Sequence, residues 1–258
     1  MSKIKEIRAR EILDSRGNPT VQAKVVLDDG VVAKASVPSG ASTGVHEAWE
    51  LRDGDKDRYE GKGVLQAVKI IQDKINPILK DLNPGDLAKI DQKMIEADGS
   101  KNKSKFGANA ILAVSMACAR AGALSQGKEL YVHLADVYDF GKDFTIPTPS
   151  FNIFTGGKHA DPNLDFQEFM LLPLRSTTIA EKVRMGSEIF HELGVVLREA
   201  GLDTDVGNEG GYAPNIHSSI QAWEYIIAAT KRAGYEPGKD IGLGTDLGST
   251  ELYNPETK

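Results

Sequence analysis

The chain has 258 residues, 40% hydrophobic and 26% charged, ordinary globular usage that excludes a disordered chain and allows one or two domains. Its net charge of −6 lacks the concentrated basic field that a nucleic-acid surface requires, although a small anionic substrate stays open. The single cysteine, Cys118, excludes an intrachain disulfide and fits a reducing, cytoplasmic compartment; no stretch approaches the roughly 20 apolar residues of a membrane span, and the start MSKIKEIRAREILDSRG has no apolar signal region.

The first quarter reads as strands. Val21, Ala23, Val25 and Leu27 alternate with Gln22, Lys24 and Val26, Asp29-Gly30 supplies a turn, and Val31, Ala33, Ala35 and Val37 resume the alternation, which predicts a hairpin. From residue 64, Leu65, Val68, Ile71, Ile75 and Leu79 follow helical spacing, and Pro77 is expected to kink or end that helix. Further helices are expected over 86–97 and 109–126. Strands followed by a run of helices predict an α+β domain over 1–136, and the prolines and glycine of 139–149 mark a boundary. Beyond it, short apolar runs predict strands at 151–154, 168–173, 203–207 and 241–246, and amphipathic runs predict helices at 179–200 and 218–234. Buried parallel strands between helices point to a β/α barrel or open sheet over 145–258, with active residues at the strands' C-terminal ends.

Four stretches stand out chemically. SVPSGASTGVHEAWELRDGD places Ser39, Gly40, Ser42, Thr43 and Gly44 directly after a strand. Such runs are commonly solvent loops, but a proline at one end and a dense charge cluster at the other fit a lid over an anion or metal. TGGKHADPNLDFQEF holds His159, Gln167 and Glu168. His159 by itself reads more readily as a hydrogen-bonded structural histidine than as a catalyst, whereas Glu168 opens an apolar strand, where a carboxylate needs a partner or a function. VGNEGGYAPN sets Glu209 among Gly207, Gly210 and Gly211, which leave room for substrate beside it, while Pro214 stiffens the exit. In IGLGTDLGS the glycines only imitate a dinucleotide fingerprint: Asp246 would repel a pyrophosphate, and no helix is expected after it. An acid ending a buried strand suits a hard cation such as Mg²⁺, with a turn or N-cap aspartate as the competing reading, as a loop ion pair is for Glu209.

The motifs ILDSRGNPTV, VPSGASTG, ELRDGDK.RY.GKGV, GANAIL.VS.A, GGKHADPNLDFQEFM and VGNEGGYAPN occur in that order over nearly the whole chain. Together they resemble the enolase family, the phosphopyruvate hydratases, and PSGASTG and GGKHA set enolase proper apart from the wider superfamily. Departures are local: Thr155 and Ser150 stand where the family usually has Asn and Met, and Asn208 where it has Asp. The resemblance implies an α+β N-terminal domain followed by the first part of a truncated, TIM-like enolase-type β/α barrel. It implies Mg²⁺-dependent reversible dehydration of 2-phosphoglycerate to phosphoenolpyruvate in glycolysis and gluconeogenesis, by a cytoplasmic homodimer in the full-length form. Residue by residue, Glu209 resembles the general acid for departure of the C3 hydroxyl and Glu168 the second acid in its hydrogen-bond network. His159 and Gln167 resemble substrate contacts, Asp246 a ligand of the tighter metal site, and Ser39 the lid serine that joins a second metal.

The family's lysine base, two further acidic metal ligands and the Arg/Ser/Lys phosphate contacts have no counterpart here. Residues 145–258 are fewer than half of the roughly 250 that a closed barrel takes. The expectation is therefore a fragment that is inactive alone, the alternative a non-catalytic, enolase-derived binding protein.

Overall fold

Ile4–Leu13 (β1), Pro19–Leu27 (β2) and Val32–Ser36 (β3) pair in that order as an antiparallel sheet in a computed structural model of the chain. The described residues are 2–40, 44–156, 164, 166–175, 177–207, 210–216, 218–253 and 256, so the expectations for His159, Asn208 and Glu209 lie outside them. Alternation sets the faces of the sheet: Val21, Ala23, Val25 and Leu27 are buried, while Arg8, Lys24 and Lys34 form a cross-strand row on the other side.

The predicted helix after residue 64 is broken in three. Leu65–Ile70 (α1) passes into a π-helical turn, Ile71–Ile75, and then into Asn76–Leu79 (α2), with Pro77 in its first turn. Proline has no N–H to give to the preceding turn, and the wider π turn takes up the irregularity that would otherwise kink the helix. Asn76 Oδ1 accepts from Ile7 N at 2.8 Å, beside the register shift in β1 between Ile4 and Glu6.

Leu87–Asp98 (α3) is capped by Asp86, which accepts from Lys89 N, and is ended by Gly99 in the left-handed conformation. Ala108–Ser125 (α4) follows, then Leu130–Tyr138 (α5), which the sequence patterns did not indicate. With 18 residues and a mean hydropathy of 1.3, α4 is long and apolar enough to cross a membrane, which corrects the expectation that nothing comes near. Its burial, 61% of that window, and its packing against β2 and β3 make it the central helix of a protein core.

Residues 1–143 and 144–258 form two compact units. In the second, Phe151–Thr155 (β4), Glu168–Pro173 (β5), Ile179–Glu199 (α6), Val206–Gly207 (β6), Gly210–Tyr212 (β7), Ser219–Arg232 (α7), Ile241–Asp246 (β8) and Ser249–Leu252 (α8) follow one another. The strands lie in the order β6-β7-β4-β5-β8. Only β4 and β7 are parallel, so the expected all-parallel arrangement is corrected to a mixed sheet. Parallel neighbours need a crossover connection, and no described helix separates β4 from β5. Of the strand expected over 203–207 only Val206 and Gly207 remain, because Asp203 Oδ1 accepts from Asp205 N at 2.8 Å and turns the chain locally. A single helical turn, α8, does follow Asp246, contrary to expectation; Gly248, at φ +60°, makes the entry that a residue with a side chain would resist.

Helices α6 and α7 begin at side-chain caps, where Thr178 Oγ1 accepts from Glu181 N and Ser218 Oγ from Ile220 N, both at 3.2 Å. Ile189 and Leu193 of α6 and Ile226 of α7 belong to one buried cluster with Phe154, Phe169 and Leu171, and the Phe169 ring meets Trp223 edge-on at 4.9 Å. The described strands form an open sheet, and the architecture is an α+β domain followed by an incomplete β/α barrel.

Candidate functional site

In the second unit the register places Thr155, Glu168 and Asp246 in one row across β4, β5 and β8. Residues directly opposite one another in a sheet project to the same face, so the two carboxylates stand side by side where β4 and β8 end. Gly244 faces Met170 and Gly242 faces Leu172 in the same pair of strands. A Cβ on Gly244 would lie 2.8 Å from Leu172 Cδ1, so the missing side chain is what lets the larger one settle on that face.

Hydrogen bonds to backbone carbonyls tie the row's end together. Gly156 N donates to Gln167 O at 2.9 Å, Gln167 N donates to Asp246 O at 3.0 Å, and Thr245 Oγ1 donates to Glu168 O at 2.8 Å. Asp246 Oδ1 accepts from Gly248 N at 3.0 Å, the turn role that competed with cation binding on paper; the second carboxylate oxygen is not used by that bond. Gln167 packs over Gly248, since a Cβ there would lie 2.5 Å from Gln167 Oε1.

A register shift in β4 between Asn152 and Phe154 turns Asn152 and Thr155 toward one another, with Asn152 Nδ2 3.5 Å from Thr155 Oγ1. Buried Asn152 Oδ1 has no partner among the described residues. Neither residue was singled out as a site residue, because a bulge leaves no mark in the apolar pattern. Thr155 is fully buried, and a Cβ on Gly211, whose φ is +60°, would fall 2.6 Å from its Oγ1. Glycine is therefore required at 211 for β7 to pass β4 this closely.

Two adjacent carboxylates are hard oxygen donors of the type Mg²⁺ takes, often one or two at a time with water or ligand oxygens completing its shell. Among the described residues no group of three His, Cys, Asp or Glu side chains is placed to hold a metal ion. A cation held by Asp246 would therefore need other oxygens to complete its shell.

Ser39 lies in the first unit, half-buried, with its hydroxyl accepting from Arg52 Nη2 at 2.7 Å and its carbonyl from Arg16 Nη2 at 2.5 Å. The turn before it is organised by Asp14 Oδ1, which accepts from Arg16 N and Asn18 N at 2.8 Å each. Both arginines belong to motifs noted in the sequence, but their object, Ser39, is distant along the chain.

Residues 4–134 match the family model of the enolase N-terminal domain, and residues 143–258 match that of the enolase C-terminal TIM barrel domain. The chain belongs to the enolase family. The enolase match spans both units, and the Glu168–Asp246 row sits within its barrel part. That membership supports an enolase-like function.

Proposed function

We propose that the chain carries the acid and cation-binding part of an enolase reaction, the reversible, Mg²⁺-dependent dehydration of 2-phosphoglycerate to phosphoenolpyruvate. The setting is glycolysis and gluconeogenesis, in a cytoplasmic enzyme that is a homodimer at full length. The observation that carries this reading is the pairing of Glu168 with Asp246 at the strand ends of an enolase-family sheet. Taking a proton from a carbon next to a carboxylate builds negative charge that water stabilises poorly, and Mg²⁺ supplies the compensating charge when bound.

Asp246 is the cation-binding carboxylate, and Ser39 the residue for a second cation. Glu209 gives the proton to the departing C3 hydroxyl, which leaves as water, and Glu168 hydrogen-bonds in the same acid network. His159 and Gln167 contact the substrate. No strand of the described second-unit sheet contains a lysine, so the proton-abstracting base is not on these strands. That observation favours a chain that binds without turning over. It also keeps a second reading, a non-catalytic enolase-derived binding protein.

The test is calorimetric titration of the chain with phosphoenolpyruvate, with and without Mg²⁺, beside an assay of phosphoenolpyruvate formation. Binding is expected to require Mg²⁺, to weaken roughly tenfold or more in Asp246→Asn, and to occur without turnover near the roughly 1 s⁻¹ floor of ordinary enzymes. Binding that ignores both Mg²⁺ and the substitution would refute the cation role. No binding of phosphoenolpyruvate under any condition would leave the non-catalytic reading.

A further inference from the structure

The charged run that follows the Ser39 loop takes no part in the chemistry above, yet it holds Ser39 in place. Arg52 Nη1 donates to Pro19 O at 2.6 Å and to Lys62 O at 2.7 Å, and Nη2 donates to Ser39 Oγ and Glu50 Oε1, both at 2.7 Å. Two of those acceptors are backbone carbonyls, of Pro19 and Lys62, so the guanidinium keeps two anchors when the serine hydroxyl is absent. A planar fork of N–H donors fixed in this way presents one of them to the hydroxyl in a set direction, which a flexible lysine would not do. Arg16 holds the same residue by its carbonyl and is itself paired with Asp14 at 3.5 Å.

We propose that Arg52 is a positioning residue that latches the Ser39 hydroxyl and so sets when that hydroxyl is free. The consequence for a cation rests on the reading of Ser39 given above. A divalent ion on Ser39 Oγ would sit about 2.1 Å from the oxygen and thus no more than about 5 Å from the Arg52 nitrogen that now occupies it. At that separation, well inside the Debye length, the two positive charges repel almost unscreened. Ligation of the cation and the Arg52 bond therefore compete.

The plainer alternative is that Arg52 merely ties the Pro19 and Lys62 carbonyls together. Ser39→Ala separates the two, since it removes the latch and leaves both carbonyl bonds. The backbone order parameter of Gly40, measured by NMR relaxation, is expected to fall from the rigid value of about 0.85 to below about 0.6 in Ser39→Ala. Arg52→Gln is expected to do the same, and the double variant to add nothing to either single change. An unchanged Gly40 in Ser39→Ala overturns the latch, and this variant decides the question even where Arg52→Gln does not fold.

A second titration, Mg²⁺ with phosphoenolpyruvate present, followed by tryptophan fluorescence, isolates the cation reading. Arg52→Gln is expected to lower the half-saturating Mg²⁺ about tenfold, the usual weight of one charge-assisted hydrogen bond, and Ser39→Ala to remove that gain. Coupled order parameters with no change in Mg²⁺ response would support the latch and sink only the assignment of Ser39 to a cation.

Discussion

Replacing Asp246 by Asn should stabilise the second unit when no cation is present and destabilise it, relative to the parent, when Mg²⁺ is. Glu168 and Asp246 are cross-strand partners, which places their Cβ atoms about 5 Å apart. Asp246 is exposed, so the effective dielectric lies near that of water, and two unit charges at about 5 Å then repel by about 0.8 kcal/mol. That is of the size that cross-strand pairs are generally worth, about 0.2–1 kcal/mol, with like charges acting in the destabilising sense. Asparagine keeps an Oδ1 that can accept from Gly248 N, a bond of 3.0 Å, so the turn survives and only the charge is lost. In chelator the variant should melt roughly 2–6 °C above the parent, and raised salt should shrink the difference. Mg²⁺ at about 100 times its Kd would add about 2.7 kcal/mol to the parent and little to the variant, so the order of stabilities inverts. Differential scanning calorimetry in chelator and in Mg²⁺ reads both halves of the prediction. A variant less stable than the parent in chelator, or one that gains as much from Mg²⁺, would refute the idea that Asp246 stands beside a like charge and binds the cation.

Three further outcomes concern the first unit. Gly122→Ala would bring a Cβ to 2.7 Å from His133 Nε2 and 3.1 Å from both Gly85 Cα and Pro84 O, so a loss of about 1–3 kcal/mol is expected in denaturant unfolding; a loss under about 0.5 kcal/mol would show that the backbone at 84–85 yields. His133 is 1% exposed, and burial, helped by Lys128 and opposed by Asp136, holds its imidazole below the usual range. The native state then binds fewer protons than the unfolded chain, so stability is full above about pH 6.5 and declines as pH falls toward the native value; His133→Gln should flatten that slope in denaturation curves taken across the range. Burial, with Asp91 nearby, pushes the Cys118 thiol up to about 12, so iodoacetamide should label the native protein at pH 8 more than about a hundredfold more slowly than the denatured chain, as read by mass spectrometry.

Features set by neighbours along the chain were legible, and those set by the partner strand were not. The alternation of Val21, Ala23, Val25 and Leu27 against polar residues marks β2 because burial of one face is written into every second residue. The apolar runs at 168–173 and 241–246 coincide with β5 and β8 for the same local reason. Direction and order are choices of the whole sheet, so β5 running antiparallel between β4 and β8 has no local signature. Pro77 announced an interruption but not that a π turn would absorb it. Helix α5, nine residues with no side-chain cap, lacked the starting signal that betrays longer helices.

The candidate site divides along the same line. Glu168 and Asp246 were each visible as acids at the edge of an apolar strand, yet their being opposite one another depends on a register that one residue of slip would reverse. Gly242 and Gly244, which on paper imitated a nucleotide loop, serve that register instead. Across β5 and β8 they stand opposite Leu172 and Met170, the side chains on the same face as Glu168, and each lets a large residue lie against a bare backbone. Glu168–Asp246 is then the one pair in the ladder where both strands contribute a charged side chain. Asp246 already answers a local need by accepting from Gly248 N, and the proposed cation role asks of it only the carboxylate oxygen that this bond leaves over.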